Sequence, residues 1–343
     1  MYKVIHIRNA AFSEEHWRSY FDLLVKIKVR FKTMLSSRSW EQMRDRVASF
    51  CEMDEGFHPM VVSDGDEIIG WGQLWVRDTD APEPAGDISL DAYYDEIPRK
   101  FVHRVASEIE PLMKHHGCIR AHSMTESQRI SDAIRMWRPR ELNRVDRFRL
   151  YRKKANLEAI DHWLKTIPAA NSDLRLELFD PVPEEHLPAY VETFERFINE
   201  MPTEREELQP YRITIESARK QTEWRQKNNV HLYTYALLNQ QDNLVAHSNA
   251  SINELNPADV YQAITGVLEE YRGRGIAKWL KAALFRKIGE DFPANESMTT
   301  DMRAVNEPIQ AVNRQMGYVL ESQGNEFETS VNDLSRWLQE EKD

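Results

Sequence analysis

The chain has 343 residues, 41% of them hydrophobic, with a formal charge of −11 and a mean hydropathy of −0.64. That length exceeds one ordinary hydrophobic core and the apolar fraction is too high for disorder, so two globular domains are expected. The acidic balance, with a pI of 5.6, argues against a protein that tracks nucleic-acid phosphates, which needs a basic face, and leaves small cationic acceptors compatible.

Residues 1–10 alternate apolar side chains with Lys3, His6 and Arg8 and contain no continuous apolar run. Neither a signal peptide nor a membrane span is read there, and a cytoplasmic location is expected. Cys51 and Cys118 stand alone, outside any CxxC, so two idle buried thiols are expected rather than a disulfide or a zinc site. A strand is predicted at 4–8 and a helix over 14–28, with Trp17, Phe21, Leu24 and Ile27 at helical spacing. A second helix over 40–50 precedes a hairpin, 60–63 with 68–76, around the turn at Ser63, Asp64, Gly65 and Asp66. Two prolines and a glycine make 80–86 a loop. A strand at 88–92, a helix over 99–115 and strands at 119–123 and 147–151 complete this half.

A short helix over 157–164 then runs into Thr166 to Ser172, whose proline and small polar residues predict a linker. The second half repeats the order: a strand at 174–178, helices over 185–200 and 214–227, and strands at 231–238 and 245–253. A strand ending at Leu268, a helix over 275–288, a strand at 297–300 and a helix over 309–316 follow. The reading is an α/β (α+β) chain with a duplicated architecture: a first domain at 1–155, a linker at 156–171, a second domain at 172–330 and a helical tail at 331–343. Leu334, Trp337 and Leu338 form the docking face of that tail.

Of only 12 glycines, Gly266, Gly273 and Gly275 fall within ten residues, at the junction of a strand and an amphipathic helix. Ile276, Leu280, Ala283, Leu284 and Ile288 form one face of that helix, and Lys278, Lys281, Arg286 and Lys287 lie largely off it. A glycine-bearing turn at a helix N-terminus offers free N–H groups and the positive end of the helix dipole to a phosphate or pyrophosphate. Arg272 and Arg274 add cationic donors. The residues alone leave two readings open, an anion site or a tight strand–helix turn with solvated arginines. Neither the Walker ending nor the three spaced glycines of the dinucleotide fingerprint is present.

The stretch Thr265-Gly266-Val267-Leu268-Glu269-Glu270-Tyr271-Arg272-Gly273-Arg274-Gly275-Ile276-Ala277 resembles the acyl-CoA motif of the GNAT N-acetyltransferase superfamily, Arg/Gln-x-x-Gly-x-Gly/Ala, with Arg272, Gly275 and Ala277 at the three named positions. A second resemblance lies in residues 306–318, where Asn306, a helix and the pair Gly317-Tyr318 fall as in that family. The resemblance covers about 172–330. The first half matches only in its order of elements, and its corresponding loop, Asp95 to Lys100, has no glycine, carries Pro98 and places Asp95 and Glu96 where phosphate would sit.

The resemblance implies a tandem GNAT protein with two mixed sheets flanked by helices, of which the second repeat is intact and the first degenerate. It implies acetyl-CoA as cosubstrate, no metal, and direct transfer of acetyl to a primary amine of a small molecule or peptide in a ternary complex. A non-catalytic acyl-CoA binder or sensor is the alternative. No nucleic-acid or membrane partner is expected, and the protein would be a monomer or a homodimer. The coenzyme is expected on Val267, Leu268, Arg272, Gly273, Arg274, Gly275, Ile276, Ala277, Asn306 and Asn313. Val267 or Leu268 would supply the N–H that polarises the thioester, so Leu268 and Asn313 are the candidate catalytic residues.

Asn313 stands where many members of the family carry a proton-donating tyrosine, and an amide cannot fill that role. His247, Glu254 and Tyr318 are candidate acid–base groups, each weighed against an ordinary structural place. Glu204, Glu206 and Glu207 could attract a cationic acceptor or form a plain solvated face. His115 and His116 are helix neighbours pointing apart, so a solvated helix end is favoured over a metal site. Trp71, Trp75, Trp137 and Trp163 are expected in packing.

Overall fold

The computed structural model describes residues 2–8, 12–31, 39–77, 79, 83–204 and 211–340. Glu206 and Glu207 lie outside the described residues, as do residues 80–82 of the expected loop. The elements in order are β1 (Tyr2–His6), α1 (Glu14–Phe31), α2 (Trp40–Met53), β2 (Phe57–Asp64), β3 (Glu67–Arg77), β4 (Ala85–Ala92), α3 (Arg99–His115), β5 (Arg120–Thr125), α4 (Gln128–Arg135), β6 (Arg140–Tyr151) and α5 (Leu157–Ala170). There follow β7 (Arg175–Phe179), α6 (Leu187–Asn199), α7 (Ile215–Lys227), β8 (Val230–Leu238), β9 (Leu244–Asn253), β10 (Asp259–Val267), α8 (Ile276–Asp291), β11 (Ser297–Arg303), α9 (Glu307–Met316), β12 (Val319–Ser330) and α10 (Val331–Glu340). Among the described residues no helix is long and apolar enough to cross a membrane.

The chain divides into two compact units, Met1–Asn143 with Gly324–Asp343, and Arg144–Gln323. The first orders its strands β1-β2-β3-β4-β5 and ends on β12; the second orders them β7-β8-β9-β10-β11 and ends on β6. Each unit thus takes its last strand from the other half of the sequence. Arg147 to Tyr151 pair antiparallel with Asp301 to Ser297, and Asn325 to Ser330 pair antiparallel with Thr125 to Arg120. The division expected at 156–171 is therefore displaced. That segment is α5, which buries Ile160 and Trp163 in the core of the second unit beside Phe285 and Ile288. Pro168 sits inside the helix, so proline and small residues marked its end and not a linker.

Beside a cluster of Trp17, Leu23 and Ile27 of α1 with Val61 and Ile68, the first unit has a larger core in which Phe101, Val105 and Ile109 of α3 lie on Leu74, Ile88 and Leu90 of β3 and β4. The tail α10 belongs to that core through Leu334, Trp337 and Leu338. Strands β4 and β6 begin earlier than their apolar runs suggest, and α4 and β12 are additions that the sequence pattern did not mark. Both cysteines are free and buried. His116 meets His58 with 2.7 Å between their Nε2 atoms, while His115 is exposed. Removing a fully buried tryptophan costs about 3–5 kcal/mol. Trp337→Ala should lower the stability of the first unit by that amount in a denaturant titration, and a loss below 1 kcal/mol would show that α10 is not part of its core.

Candidate functional site

Strand β10 pairs in parallel with β11 only at Asp259, Val260 and Tyr261, opposite Ser297, Met298 and Thr299. Its other edge stays with β9 as far as Val267, which opposes Ala246. The parallel strands part after Tyr261 and leave one edge of β10 open. A bulge marks the parting: Gln262 opposes Ala250 and Thr265 opposes Ser248, so β10 takes three steps where β9 takes two. Asn249 bridges the irregularity, its Oδ1 accepting from Ile264 N–H at 3.1 Å and its Nδ2 donating to the Tyr190 hydroxyl at 2.8 Å.

The direction of the amides beyond the bulge follows from one bond. Leu268 N–H donates to Val245 O at 3.0 Å. Amides alternate between the two edges of a strand, so Gly266 shares that edge while Thr265 and Val267 turn theirs to the opening. The expectation for Leu268 is corrected on this ground: its amide is spoken for within the sheet, and of the two residues named for the thioester Val267 alone faces the gap.

The opening continues into a cleft of 530 Å³ lined by Val267, Arg272, Gly273, Gly275, Ile276, Ala277 and Asn306, together with Phe197, Glu200, Thr265 and Lys278. Gly273 and Gly275 both have φ of +79°, a region in which side chains with a Cβ are strained. The first helical bonds of α8 run from Lys278 and Trp279 N–H to Gly275 O, leaving the amides of Ile276 and Ala277 ahead of the ladder.

Three expected ligands do not line this cleft. Arg274 turns its Nε to Asn171 Oδ1 at 2.7 Å and its Nη2 to the Asp173 carboxylate. Asn171 returns a bond from Nδ2 to Arg274 O at 3.2 Å, and a Cβ on Gly275 would lie 3.3 Å from Ile167 Cδ1. The end of α5 is thus the seat on which the loop is built, and Arg274 is its clasp. Asn313 is fully buried in α9, with Nδ2 3.8 Å from Met302 Sδ, because it lies on the core face beside Val312 and Met316. Leu268 packs with Trp279 and Leu280.

Arg272 lines the cleft. Its Nη2 meets Glu200 Oε2 at 2.6 Å and its Nε meets Val267 O at 3.1 Å. Glu200, at the end of α6, is held below the usual carboxylate range first by Arg196 and then by Arg272. Both side chains of this pair are substantially exposed, and an exposed pair contributes about 0–1 kcal/mol, whereas a charge-assisted bond to phosphate contributes about 1.5–3 kcal/mol.

Gly266 is required by its neighbour, since a Cβ there would lie 2.0 Å from Phe197 Cδ2. Phe197, Tyr190 and Phe194 surround His247, with ring centroids 5.0, 5.0 and 6.2 Å away. Among the described residues neither ring nitrogen of His247 has a hydrogen-bond partner, and burial pulls its pKa down to about 3. It is a neutral packing residue, not a base. Glu254 is exposed near His231, and Tyr318 is buried with its hydroxyl donating to Gln262 Oε1 at 2.8 Å, so neither reaches the cleft. Glu204 is described but does not line it.

Sequence reasoning placed Lys281 off the apolar face of α8, yet it is fully buried. Its Nζ donates to Gln262 Oε1 at 2.6 Å, Gln262 Nε2 donates to Ser248 Oγ at 3.2 Å, and Ser248 Oγ lies 2.7 Å from Thr265 Oγ1. This chain of polar groups joins α8 to β9 and β10 where β11 departs. An amide side chain in the middle does not pass protons, so the chain positions the strand rather than relaying a base.

Residues over 96% of the chain match 99% of a tandem GNAT protein from the clavulanic acid biosynthesis pathway, with a TM-score of 0.72 at 15% identity. A GCN5-related N-acetyltransferase from Sphaerobacter thermophilus matches with a TM-score of 0.64 at 12% identity, over 96% of each chain. The chain has the tandem GNAT fold. No protein-family model and no curated protein matches its sequence.

Within that fold the first GNAT unit repeats the parting of strands, since β4 pairs with β5 only at Gly86 and Asp87 while β3 follows it to Ala92. Tyr93 N–H donates to Ile69 O at 2.9 Å, which makes Ala92 the counterpart of Val267. Here the open edge is already satisfied. Ala92 N–H donates to Asp91 Oδ1 at 2.7 Å and Ala92 O accepts from Arg129 Nη1 at 2.8 Å. Arg129 also bonds Asp91 and lies under the Phe31 ring, 3.8 Å from its centroid. Helix α3 begins after Pro98 with no side-chain cap, and Asp95 is held by Arg30.

Burial pulls the Lys281 ammonium down to about 7 from the ordinary 10.5. Between those values the unfolded chain holds the extra proton, so this group's contribution to stability rises with pH across the window and is least favourable below pH 7. Lys281→Met removes that cost and leaves Gln262 bonded to Tyr318. Thermal melts should show the variant stabilised most below pH 7, with the gain shrinking toward pH 10; a gain that grows with pH would contradict the buried charge.

Proposed function

We propose that the second GNAT unit binds acetyl-CoA along the open edge of β10 and transfers its acetyl group to a primary amine of a small molecule or peptide. The observation that carries this reading is one continuous opening, in which the free main-chain edge at Thr265 and Val267 runs into the left-handed glycines and uncapped amides at the start of α8. An edge of that kind suits a flexible arm with amide groups, and a helix N-terminus suits a pyrophosphate. The GCN5-related fold of both matched structures supports it.

In the reaction the amine nitrogen attacks the thioester carbonyl carbon, the C–S bond breaks, and CoA leaves as the thiolate while the amine gives up a proton to solvent. Val267 N–H, or Thr265 N–H on the same edge, meets the oxyanion, an interaction of about 3 kcal/mol in other acyl-transfer sites. Arg272 and the amides of Ile276 and Ala277 hold the pyrophosphate. Asn313 is enclosed in the core, so it takes no part in protonating the thiolate. A second reading, an acyl-CoA binder that does not transfer, is favoured by one observation: no tyrosine or histidine is among the described residues lining the cleft. Release of free CoA stimulated by an amine supports transfer, and a thioester that survives every amine tried supports the binder.

Gly273 is the position at which the cleft is best tested, since no atom lies within 4 Å of a Cβ built there. Asp and Asn tolerate its backbone conformation comparably and differ in charge. Gly273→Asp should weaken acetyl-CoA at least tenfold more than Gly273→Asn, about 1.4 kcal/mol, by calorimetry. Equal affinities would remove the pyrophosphate from this loop. The same titration on the intact chain should give one acetyl-CoA per chain, because Asp91 and Arg129 close the corresponding edge of the first unit; a stoichiometry of two would overturn that assignment.

A further inference from the structure

A second cavity of 220 Å³ lies in the same unit, between α6, α7 and strands β8 to β10. It is lined by Ala263, two residues from Thr265, which lines the coenzyme cleft. Two extended residues span about 7 Å, so a molecule in this cavity lies within reach of the open strand edge. The volume falls below the roughly 300–1,000 Å³ of sites for drug-sized ligands, which limits the occupant to something small.

Most of the lining is apolar, from residues such as Leu187, Val191 and Ile213, and against it stands the guanidinium of Arg225. Its Nη2 donates to Gln221 Oε1 at 3.1 Å, a neutral partner one turn away on α7. The carboxylate that also borders the cavity, Asp180, is taken by the His231 imidazole and by Leu232 N–H at 3.2 Å. Among the described residues no carboxylate is paired with Arg225, and burial, opposed by Tyr190, Tyr211 and Asp180, pulls its pKa down. Tyr190 stands beside it. Its hydroxyl accepts from Asn249 Nδ2 and also meets the Thr234 side chain. A planar fork of N–H donors in an apolar surround matches a carboxylate.

We propose that this cavity is the acceptor site and selects a small amine that carries a carboxylate, bound by Arg225 with its amino group toward the bulge of β10. The assignment rests on the acetyl-transfer reading for the direction of the amine, and the carboxylate pocket itself is tested apart from it. Neutral ligands would leave Arg225 desolvated and unpaired, so discrimination against them should be large.

The test uses the full chain in two arms. In the first, binding of glutarate and of its neutral diamide is followed by calorimetry on the wild type, Arg225→Gln and Arg225→Lys. Glutarate should bind at least tenfold more tightly than the diamide, with the preference lost in Arg225→Gln and partly kept in Arg225→Lys. In the second, CoA release from acetyl-CoA is compared for β-alanine and 4-aminobutyrate against their amides, with acetyl-CoA affinity measured alongside. Equal binding of glutarate and diamide by the wild type, or a preference that survives Arg225→Gln, overturns the carboxylate pocket. Should Arg225→Gln fail to fold, the wild-type ratio and Arg225→Lys still decide. Glutarate selectivity in a chain that does not bind acetyl-CoA would sustain the pocket and remove the transferase reading, whereas acetyl-CoA binding and turnover indifferent to the carboxylate would remove this inference alone.

Discussion

A strand that loses its neighbour inside a protein must find other partners for its amides and carbonyls, and β10 meets that demand after Tyr261. The polar groups around it are arranged by this need. Asn249 takes the amide displaced by the bulge, Arg272 takes the Val267 carbonyl, and the buried links from Lys281 through Gln262 and Ser248 to Thr265 hold the strand against α8. What stays without a strand partner is the row of main-chain groups that an extended ligand could use. A lysine with one amide partner is costly to bury, and its presence at this point is in keeping with a place where the sheet itself is incomplete.

The two units answer the same constraint in opposite ways. At Ala92 the demand is met internally by Asp91 and Arg129, two buried charges that also satisfy each other. At Val267 the carbonyl is lent to an exposed arginine whose other partner, Glu200, is exposed as well. Closing an edge with a buried pair is hard to reverse, because separating the pair strands a charge in a low-dielectric interior. Closing it with an exposed pair is not. Closing such an edge thus needs no change of fold, only a pair of side chains that completes the strand.

Much of this was legible from the residues. The clustered glycines with Arg272 and Ala277 located the cleft, because a left-handed turn before an apolar helix leaves a mark in composition. Gly266 was read only as part of that cluster, whereas its cause is the close approach of Phe197 to the strand. Arg274 and Lys281 were misplaced for a shared reason: charged residues read as solvent-facing or ligand-facing, whereas their partners Asn171 and Gln262 are distant in sequence and carry no pattern. Which of Val267 and Leu268 faces the gap depends on strand register, which is set by the bulge and cannot be seen in the chain. Segment 166–171 read as a linker because the composition of a helix end resembles that of a loop.

The exchange of last strands has a consequence for the order in which the molecule can be assembled. The second unit is one unbroken stretch, Arg144–Gln323, set inside the sequence of the first, which has Gly324–Asp343 as its other part. During synthesis from the N-terminus, everything that the second unit needs emerges while the first still has β5 without β12 and α3 without Trp337. The half that begins the chain is therefore the half completed last, and until then its uncovered edge at β5 is open to wrong partners.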